Sequence, residues 1–206
     1  MSLTLIIIVL TCIISIMAFS NKALMDKLLL WPARMTSFAE AYRLLTAGFV
    51  HADYMHLGFN MITLYFFGDY LQQAFAVILG PEKAVPAFLA LYLAGIVVSC
   101  IPSWIKKRNN PDYRSLGASG GVAAIIFAMI YLAPWSKIYL FFAIGIPSIL
   151  FAVLYLIYTA YMAKTGRGYV NHDAHLWGSV FGLVFMVFID PSHGQRFVEA
   201  LSHPHF

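Results

Sequence analysis

Six apolar stretches constrain the fold of this 206-residue chain more than any other feature. A transmembrane helix needs about 17 to 25 apolar residues, and only 11% of the residues here are charged, against about 25% in an ordinary soluble domain. The stretches are Leu3–Phe19, Tyr54–Ala74, Ala84–Trp104, Ser119–Ala133, Ile138–Met162 and Ala174–Ile189. We therefore predict an all-α membrane protein with six transmembrane helices, built as a single domain over residues 1–206 with a polar tail over 191–206.

The fourth stretch, Ser119–Ala133, is short for a complete crossing. A helix that begins below the membrane surface, at the floor of a water-filled cavity, would need only this length. Between the first two stretches, Asn21–Val50 is too apolar for a free loop and too charged for a span. It predicts an interfacial, partly submerged segment, with Trp31 and Tyr42 as interface anchors.

The net charge of +4 is too dilute to indicate nucleic-acid binding, and it suits contact with the lipid bilayer. The two cysteines, Cys12 and Cys100, lie in apolar runs, which argues against a disulfide framework or a metal cluster. The sequence therefore gives no reason to expect a cofactor or a metal, and it leaves the oligomeric state open.

A cluster of small residues, Gly117-Ala118-Ser119-Gly120-Gly121, opens the fourth stretch. Small residues let two helix backbones approach closely, and most such clusters in membrane helices are packing surfaces. A serine at a helix N-terminus can also present its hydroxyl and its N–H group to a ligand. The cluster alone does not decide between the two interpretations.

Two other stretches open with polar side chains that are costly inside a membrane and therefore tend to mark function. His51 precedes the second stretch, and His56 and Asn60 lie four residues apart on one helix face. His175 opens the sixth stretch beside Gly178 and Gly182.

The spacing of Gly178 and Gly182 predicts close packing on a small-residue partner, for which the fourth helix, with Gly117, Gly120 and Ala124, is the natural candidate. Such packing would bring His175 toward Ser119. Asn171 or Asp173 is the expected N-cap of the sixth helix.

A serine needs a general base to become a nucleophile, and the oxyanion that its attack forms needs preorganised hydrogen-bond donors. Ser119, His175, His56 and Asn60 supply these parts at helix ends that could face one cavity.

The order H-x4-H-x3-N, G-x-S-G and A-H-x-x-G-x-x-x-G resembles the rhomboid family of intramembrane serine proteases. In this chain these motifs are His51…His56…Asn60, Gly117–Gly120, and Ala174-His175…Gly178…Gly182. The resemblance covers nearly the whole chain and places a rhomboid-like core at residues 40–190.

The resemblance implies that Ser119 is the nucleophile and His175 the general base, acting as a dyad without an acidic third member. It implies an oxyanion hole formed by His56, Asn60 and the Ser119 backbone N–H. It also implies a transmembrane protein as the substrate, with structural roles for the remaining motif residues, which are Gly117, Gly120, Gly178, Gly182, His51 and Arg43.

Two positions depart from the family pattern. The Trp-Arg pair of the first loop is replaced by Tyr42-Arg43, so Arg43 keeps its expected structural role beside a different aromatic ring. Many members carry an aromatic residue four positions after the nucleophile, where it packs on the catalytic histidine. This chain has Ala123 instead, so the ring that supports the histidine is absent or comes from elsewhere. Trp177 or Phe127 could be named only as a guess for a replacement ring.

Three other functions compete with an intramembrane protease. A catalytically silent rhomboid-like protein would bind membrane helices without cutting them, although the intact Ser119 and His175 argue against it. A channel or transporter would use intramembrane polar groups along a path rather than at helix mouths. A metal site could use His172 and His175 with His51, His56 or Asp173, but it would leave the serine motif without a role.

The distribution of basic residues conflicts with the orientation that the resemblance implies. The loops after the first, third and fifth helices hold ten Lys and Arg residues and the other side holds three. The positive-inside rule would place the ten in the cytoplasm. The resemblance instead predicts a multi-pass protein of a bacterial inner membrane whose active site faces the extracytoplasmic side.

Overall fold

The structure, a computed structural model, describes residues 2–140, 143–165 and 170–204 of the chain. Within these ranges it is a bundle of helices with one β-hairpin. The elements are α1 (Leu3–Ser20), α2 (Lys22–Leu28), α3 (Arg43–Thr46), α4 (Tyr54–Leu79), α5 (Pro81–Lys107), α6 (Ser119–Leu132), β1 (Lys137–Leu140), β2 (Ile144–Pro147), α7 (Ser148–Thr165), α8 (His172–Ile189) and α9 (His193–Ser202).

Five helices, α1, α4, α5, α7 and α8, are long and apolar enough to cross a membrane. The remaining long apolar helix, α6, has 14 residues and is therefore about 21 Å long, against about 30 Å for the hydrocarbon core of a bilayer. These lengths confirm the prediction of a helical membrane bundle, and they show that the fourth apolar stretch is a short helix.

Helix α6 lies at the centre of the bundle, in contact with α4, α5, α7 and α8. Ten of its residues are buried, from Gly120 to Tyr131, and they are distributed around all sides of the helix. A helix that is apolar on every side is typical of the interior of a helical bundle. The other elements are therefore arranged around the helix that begins with Ser119.

The contact between α6 and α8 is made by backbone atoms. A Cβ atom added to Gly178 would lie 2.3 Å from the Gly120 carbonyl oxygen, and one added to Gly182 would lie 2.2 Å from that of Ala124. Both distances are far inside van der Waals contact, so neither position has room for any side chain. The Gly178–Gly182 spacing thus packs α8 on the small-residue face of α6, the partner that the sequence favours.

Helix α5 packs on another side of α6 in the same way. A Cβ atom on Gly120 would collide with the Ser99 side chain, and one on Gly121 would lie 2.8 Å from the Tyr92 carbonyl oxygen. Gly120 is therefore enclosed by α5 on one side and by α8 on the other. Three helices converge on the residue that follows Ser119.

The segment between α1 and α4 folds as a compact cover with short helical turns, and it buries Leu29, Leu30 and Val50. Arg43 is only 5% exposed. Its guanidinium donates to the Asp26 and Leu29 carbonyl oxygens at 2.8 and 3.1 Å and pairs with the Glu40 carboxylate. A buried cation paired in this way holds distant parts of the segment together, because removing it would leave those carbonyl groups without a donor.

The predicted fifth span is wrong at its start, since Ile138–Leu140 and Ile144–Pro147 lie in strands rather than in a helix. Lys137 pairs with Pro147 and Leu140 with Ile144 in an antiparallel hairpin, and α7 begins only at Ser148. Pro147 cannot donate a helical hydrogen bond, and it disfavours helical geometry at the residue before it. Apolar composition extends through both elements, so it did not distinguish them.

The polar tail forms a short helix, α9, docked on the end of α6 that is distant from Ser119. The Phe197 ring stacks on Tyr131 with centroids 5.3 Å apart, and the Trp135 indole N–H donates to the Ala200 carbonyl oxygen at 2.6 Å. The polar tail is therefore a helix that packs on the bundle through Phe197 and its own backbone.

Replacing Gly178 with alanine should lower the melting temperature in detergent, because the new methyl group must push α8 away from the α6 backbone. Overpacking of this kind costs about 1 to 3 kcal/mol. Gly58→Ala is the matched control, since its Cβ would meet no atom within 4 Å and alanine favours a helix over glycine. An unchanged melting temperature in Gly178→Ala, measured beside Gly58→Ala, would contradict the observed packing.

Candidate active site

A cavity of about 650 Å³ opens at the N-terminal ends of α4, α6 and α8. Its lining includes Ser119 from α6, His175 from α8, and His56 and Asn60 from α4. The structure therefore brings all four of the polar residues singled out from the sequence to one space. The lining is otherwise mostly apolar, with Phe59, Ile126 and Tyr155 among its side chains.

Ser119 is the first residue of α6, directly after a sharp turn at Gly117 and Ala118. Gly117 has φ of +115°, which side chains other than glycine rarely adopt. A Cβ atom there would also lie 2.6 Å from Cε1 of His56. Gly117 is therefore required twice, for its backbone conformation and for the space that the His56 ring occupies.

Because Ser119 is in the first turn of α6, its backbone N–H has no partner within the helix. The Gly117 N–H is already engaged, donating to the Ala47 carbonyl oxygen at 2.9 Å. The helix dipole also places partial positive charge at this end. The N-terminus of α6 thus presents both a hydroxyl and an N–H group at the cavity.

His51 supports the turn before Ser119 through a chain of hydrogen bonds. The Ala118 N–H donates to Nε2 of His51 at 3.2 Å, and Nδ1 of His51 lies 3.0 Å from the Ser15 hydroxyl. The Ser15 hydroxyl donates its one hydrogen to the Phe49 carbonyl oxygen at 2.9 Å. It must therefore accept from Nδ1, which makes His51 a neutral imidazole with its proton on Nδ1.

The surroundings of His51 agree with a neutral ring. The pKa of His51 is lowered from its ordinary value to about 3, chiefly by burial and also by the nearby His56, while Asp53 opposes the shift. A protonated His51 would carry a hydrogen on Nε2, directly facing the Ala118 N–H. The turn before Ser119 therefore depends on the neutral form of this ring.

His56 and Asn60 lie one turn apart on α4. Asp53 caps this helix, accepting from the His56 N–H at 2.7 Å, which fixes the first turn relative to the cavity. Asn60 is only 6% exposed, and its side-chain amide donates one hydrogen to the His56 carbonyl oxygen at 2.9 Å. An amide group carries two donor hydrogens, so the second remains for another acceptor.

His175 lies in the first turn of α8, one turn before Gly178. Because Gly178 rests against Gly120, the first turn of α8 lies beside the start of α6, and His175 and Ser119 line the same cavity. Asn171 is the N-cap of α8 and accepts from the Ala174 N–H at 3.1 Å. Asp173 instead forms an ion pair with Lys106, so the capping role belongs to Asn171.

Asn171 makes two further contacts that the sequence did not indicate. Its side chain accepts from the Ser103 hydroxyl at 2.9 Å and donates to the Ser115 hydroxyl at 2.8 Å. It thus joins α5, the loop that leads to Ser119, and the start of the helix that carries His175. One amide side chain therefore couples the positions of all three segments.

Tyr155 of α7 is the aromatic ring that stacks on His175. The centroids of the two rings are 6.1 Å apart, and the ring planes are nearly parallel, at 19°. Phe151 stacks in turn on Tyr155, with a centroid distance of 5.4 Å. Trp177, one of the two guesses from sequence, is 42% exposed. Phe127, the other, packs on Tyr155 at 6.0 Å.

No sequence signal pointed to Tyr155, because α7 carries several aromatic residues with no motif around them.

In the described part of the chain, no three His, Cys, Asp or Glu side chains are grouped so that they could hold a metal ion. The rings of His172 and His175 meet edge to face at 5.9 Å.

A family model described as the Rhomboid domain matches residues 39–191. Similar proteins include the RHOMBOID-like protein 12, mitochondrial, of Arabidopsis thaliana, which is 30% identical over 69% of this chain and 45% of its own length. Rhomboid protein 1, mitochondrial, of Saccharomyces cerevisiae is 32% identical over 68% of this chain and 39% of its own length. Rhomboid-like protein 11, chloroplastic, of Arabidopsis thaliana is 27% identical over 73% and 53%.

The chain thus spans about half, or less, of the length of these relatives. Their names place those proteins in mitochondria or chloroplasts, so they lend no support to the prediction of a bacterial inner membrane. The family model, in contrast, covers most of this chain, from the cover segment to the end of α8. The chain belongs to the rhomboid family.

Proposed function

We propose that this chain is an intramembrane serine endopeptidase that cleaves membrane-anchored proteins at or near a transmembrane helix. The observation that carries the proposal is the single cavity lined by Ser119, His175, His56 and Asn60. Nucleophile, base and donors of the required kinds share one space at the ends of three apolar helices. Membership of the rhomboid family supports the same conclusion.

In the proposed reaction, Ser119 Oγ attacks the carbonyl carbon of the scissile bond while His175 accepts its proton. His175 then returns the proton to the leaving amine, and a water molecule, activated by the same ring, hydrolyses the acyl-enzyme. The cavity would supply that water. No acidic side chain is assigned a role in the proton transfer.

The oxyanion that forms in this reaction needs donors already in place. We assign this role to the Ser119 backbone N–H, the free hydrogen of the Asn60 amide, and the His56 ring. Gly117 supports the assignment, because the absence of its side chain lets His56 lie directly over the turn before Ser119. Gly120, Gly178 and Gly182 would act indirectly, by setting the distance between α6 and α8.

A catalytically silent protein that binds membrane helices is the second candidate. It would use the same apolar cavity but would not need a serine hydroxyl and an imidazole facing it. The retention of both groups in one space therefore favours the protease. The two candidates differ in whether Ser119 reacts covalently.

Ser119→Ala and His175→Ala should each abolish cleavage of a membrane-anchored reporter, since loss of either member of a dyad removes about four to six orders of magnitude in rate. Wild-type protein in detergent should also react with a fluorophosphonate probe, and Ser119→Ala should not. Melting temperatures serve as the control for folding. A folded wild-type protein that neither labels nor cleaves would support the silent binding protein instead.

Tyr155 should act as a positioning residue for His175. Because aromatic stacking is worth about 0.5 to 1.5 kcal/mol, Tyr155→Ala should lower kcat by about two- to tenfold with little change in KM, while Tyr155→Phe should keep the ring and the rate. Tyr161→Ala is the control, since Tyr161 is 59% exposed on the same helix. Wild-type kcat in folded Tyr155→Ala would show that the stack does not position His175.

The cavity is proposed to open on the extracytoplasmic side, as the family resemblance implies. The count of basic residues, which favours the cytoplasmic side, is a weaker argument because several of these residues have structural partners. Arg43 is buried, Lys106 pairs with Asp173, and Arg34 and Arg114 stack on Trp31. Arg167, also in that count, lies outside the described residues.

Cysteine labelling in an intact bacterial expression host tests this orientation. On a background without Cys12 and Cys100, a cysteine at Asn109 should react with a membrane-impermeant thiol reagent. A cysteine at Ser136, at the opposite end of α6, should react only after the cells are opened. The reverse pattern would place the cavity on the cytoplasmic side.

A further inference from the structure

The Trp31 ring lies against two arginine side chains beside the cavity. The guanidinium carbon of Arg34 is 3.5 Å from the ring centroid, and that of Arg114 is 3.1 Å from it. The Trp31 indole N–H donates to the Pro111 carbonyl oxygen at 3.1 Å, which fixes the ring. The two guanidinium groups are therefore held within about 7 Å of each other.

Neither arginine has an acidic partner within residues 2–140, 143–165 and 170–204, where the ion pairs are Arg43–Glu40 and Lys106–Asp173. Arg114 donates to the Pro111 and Tyr113 carbonyl oxygens at 2.6 and 3.3 Å, which orients the guanidinium but leaves its charge in place. Two like charges held this close favour an anion nearby.

Arg114 also lines the cavity that contains Ser119 and His175. Asp53 is the acidic residue of that lining, and its carboxylate is engaged by the His56 N–H. Five peptide units separate Arg114 from Ser119, so their Cα atoms are at most about 18 Å apart, a span that about five extended residues can cover.

We propose that Arg114, with Arg34 across Trp31, is a specificity-determining residue that favours substrates with an Asp or Glu within about five residues of the cleaved bond. The inference rests on the proposed protease function and names a feature of its substrate. A carboxylate on the water-exposed part of the substrate would meet a cation already fixed in orientation, so little side-chain entropy would be lost on binding.

A substrate carboxylate fits this position better than a lipid phosphate does. Arg114 is part of the cavity lining that holds the proposed nucleophile, and a substrate must enter that space to be cleaved. A head group bound to Arg114 would occupy part of the same space.

The test uses sets of three reporter substrates that differ at one position, which carries Asp, Asn or Lys. One set is made for each of the five residues on either side of the cleaved bond. At one or more positions the wild type should show kcat/KM about two- to fivefold higher for Asp than for Asn, and added salt should reduce this ratio. Arg114→Gln should bring the ratio close to one. Arg114→Glu should reverse the order, so that Lys is preferred.

A ratio of kcat/KM values between substrates does not depend on the fraction of folded enzyme, so partial misfolding of a variant cannot mimic the result. Arg108→Gln is the matched control, because Arg108 is an exposed arginine just before the same loop and is not in the cavity lining. It should keep the wild-type ratio.

Equal kcat/KM for all three substrates at every position would overturn the inference and leave the protease proposal standing. No cleavage of any substrate by the wild type would overturn both. If Arg114→Gln changed all three rates equally, and only in vesicles of anionic lipid, the arginine pair would bind head groups and the inference would be wrong.

Discussion

The close approach of the α6 and α8 backbones is the contact on which the rest of the structure depends. Gly178 meets the Gly120 carbonyl group, and Gly182 meets that of Ala124, with no side chain between the two helices. In a bilayer such contacts must come from packing, because lipid tails are as apolar as the helices themselves. Ser119 precedes Gly120, and His175 lies one turn before Gly178, so the same contact sets the relation between the two proposed catalytic residues.

The parts of the site that could be predicted from sequence are those whose side chains are out of place in a membrane. His56, Asn60 and His175 are polar residues near the start of apolar stretches, and such residues are costly unless they have partners or line water. Gly178 and Gly182 have a spacing that predicts close helix packing. These features are local in sequence, so the chain alone revealed them.

Other parts of the site could not be predicted, because they depend on contacts between distant segments of ordinary composition. Tyr155 is one of several aromatic residues on α7, and only the fold shows that its ring stacks on His175. Asn171 was expected as a helix cap, yet its bonds to Ser103 and Ser115 needed the positions of α5 and of the loop before Ser119. The paired strands β1 and β2 were missed because apolar strands and apolar helices have similar composition.

The shortness of α6 connects the fold with the chemistry that we propose. A serine protease needs water to release its acyl-enzyme, and the lipid core holds almost none. An α6 about 21 Å long leaves about 9 Å of a 30 Å hydrocarbon layer without this helix. The cavity lies at the N-terminal end of α6 and is also lined by residues from the first turns of α4 and α8 and from the cover segment.

A longer α6 would bury Ser119 in packed side chains or carry it to the membrane surface, away from a substrate helix. The neutral His51 and the Gly117 turn therefore matter beyond their own contacts. They fix the point at which the loop ends and α6 begins, and both ring nitrogens of His51 make their hydrogen bonds inside the protein.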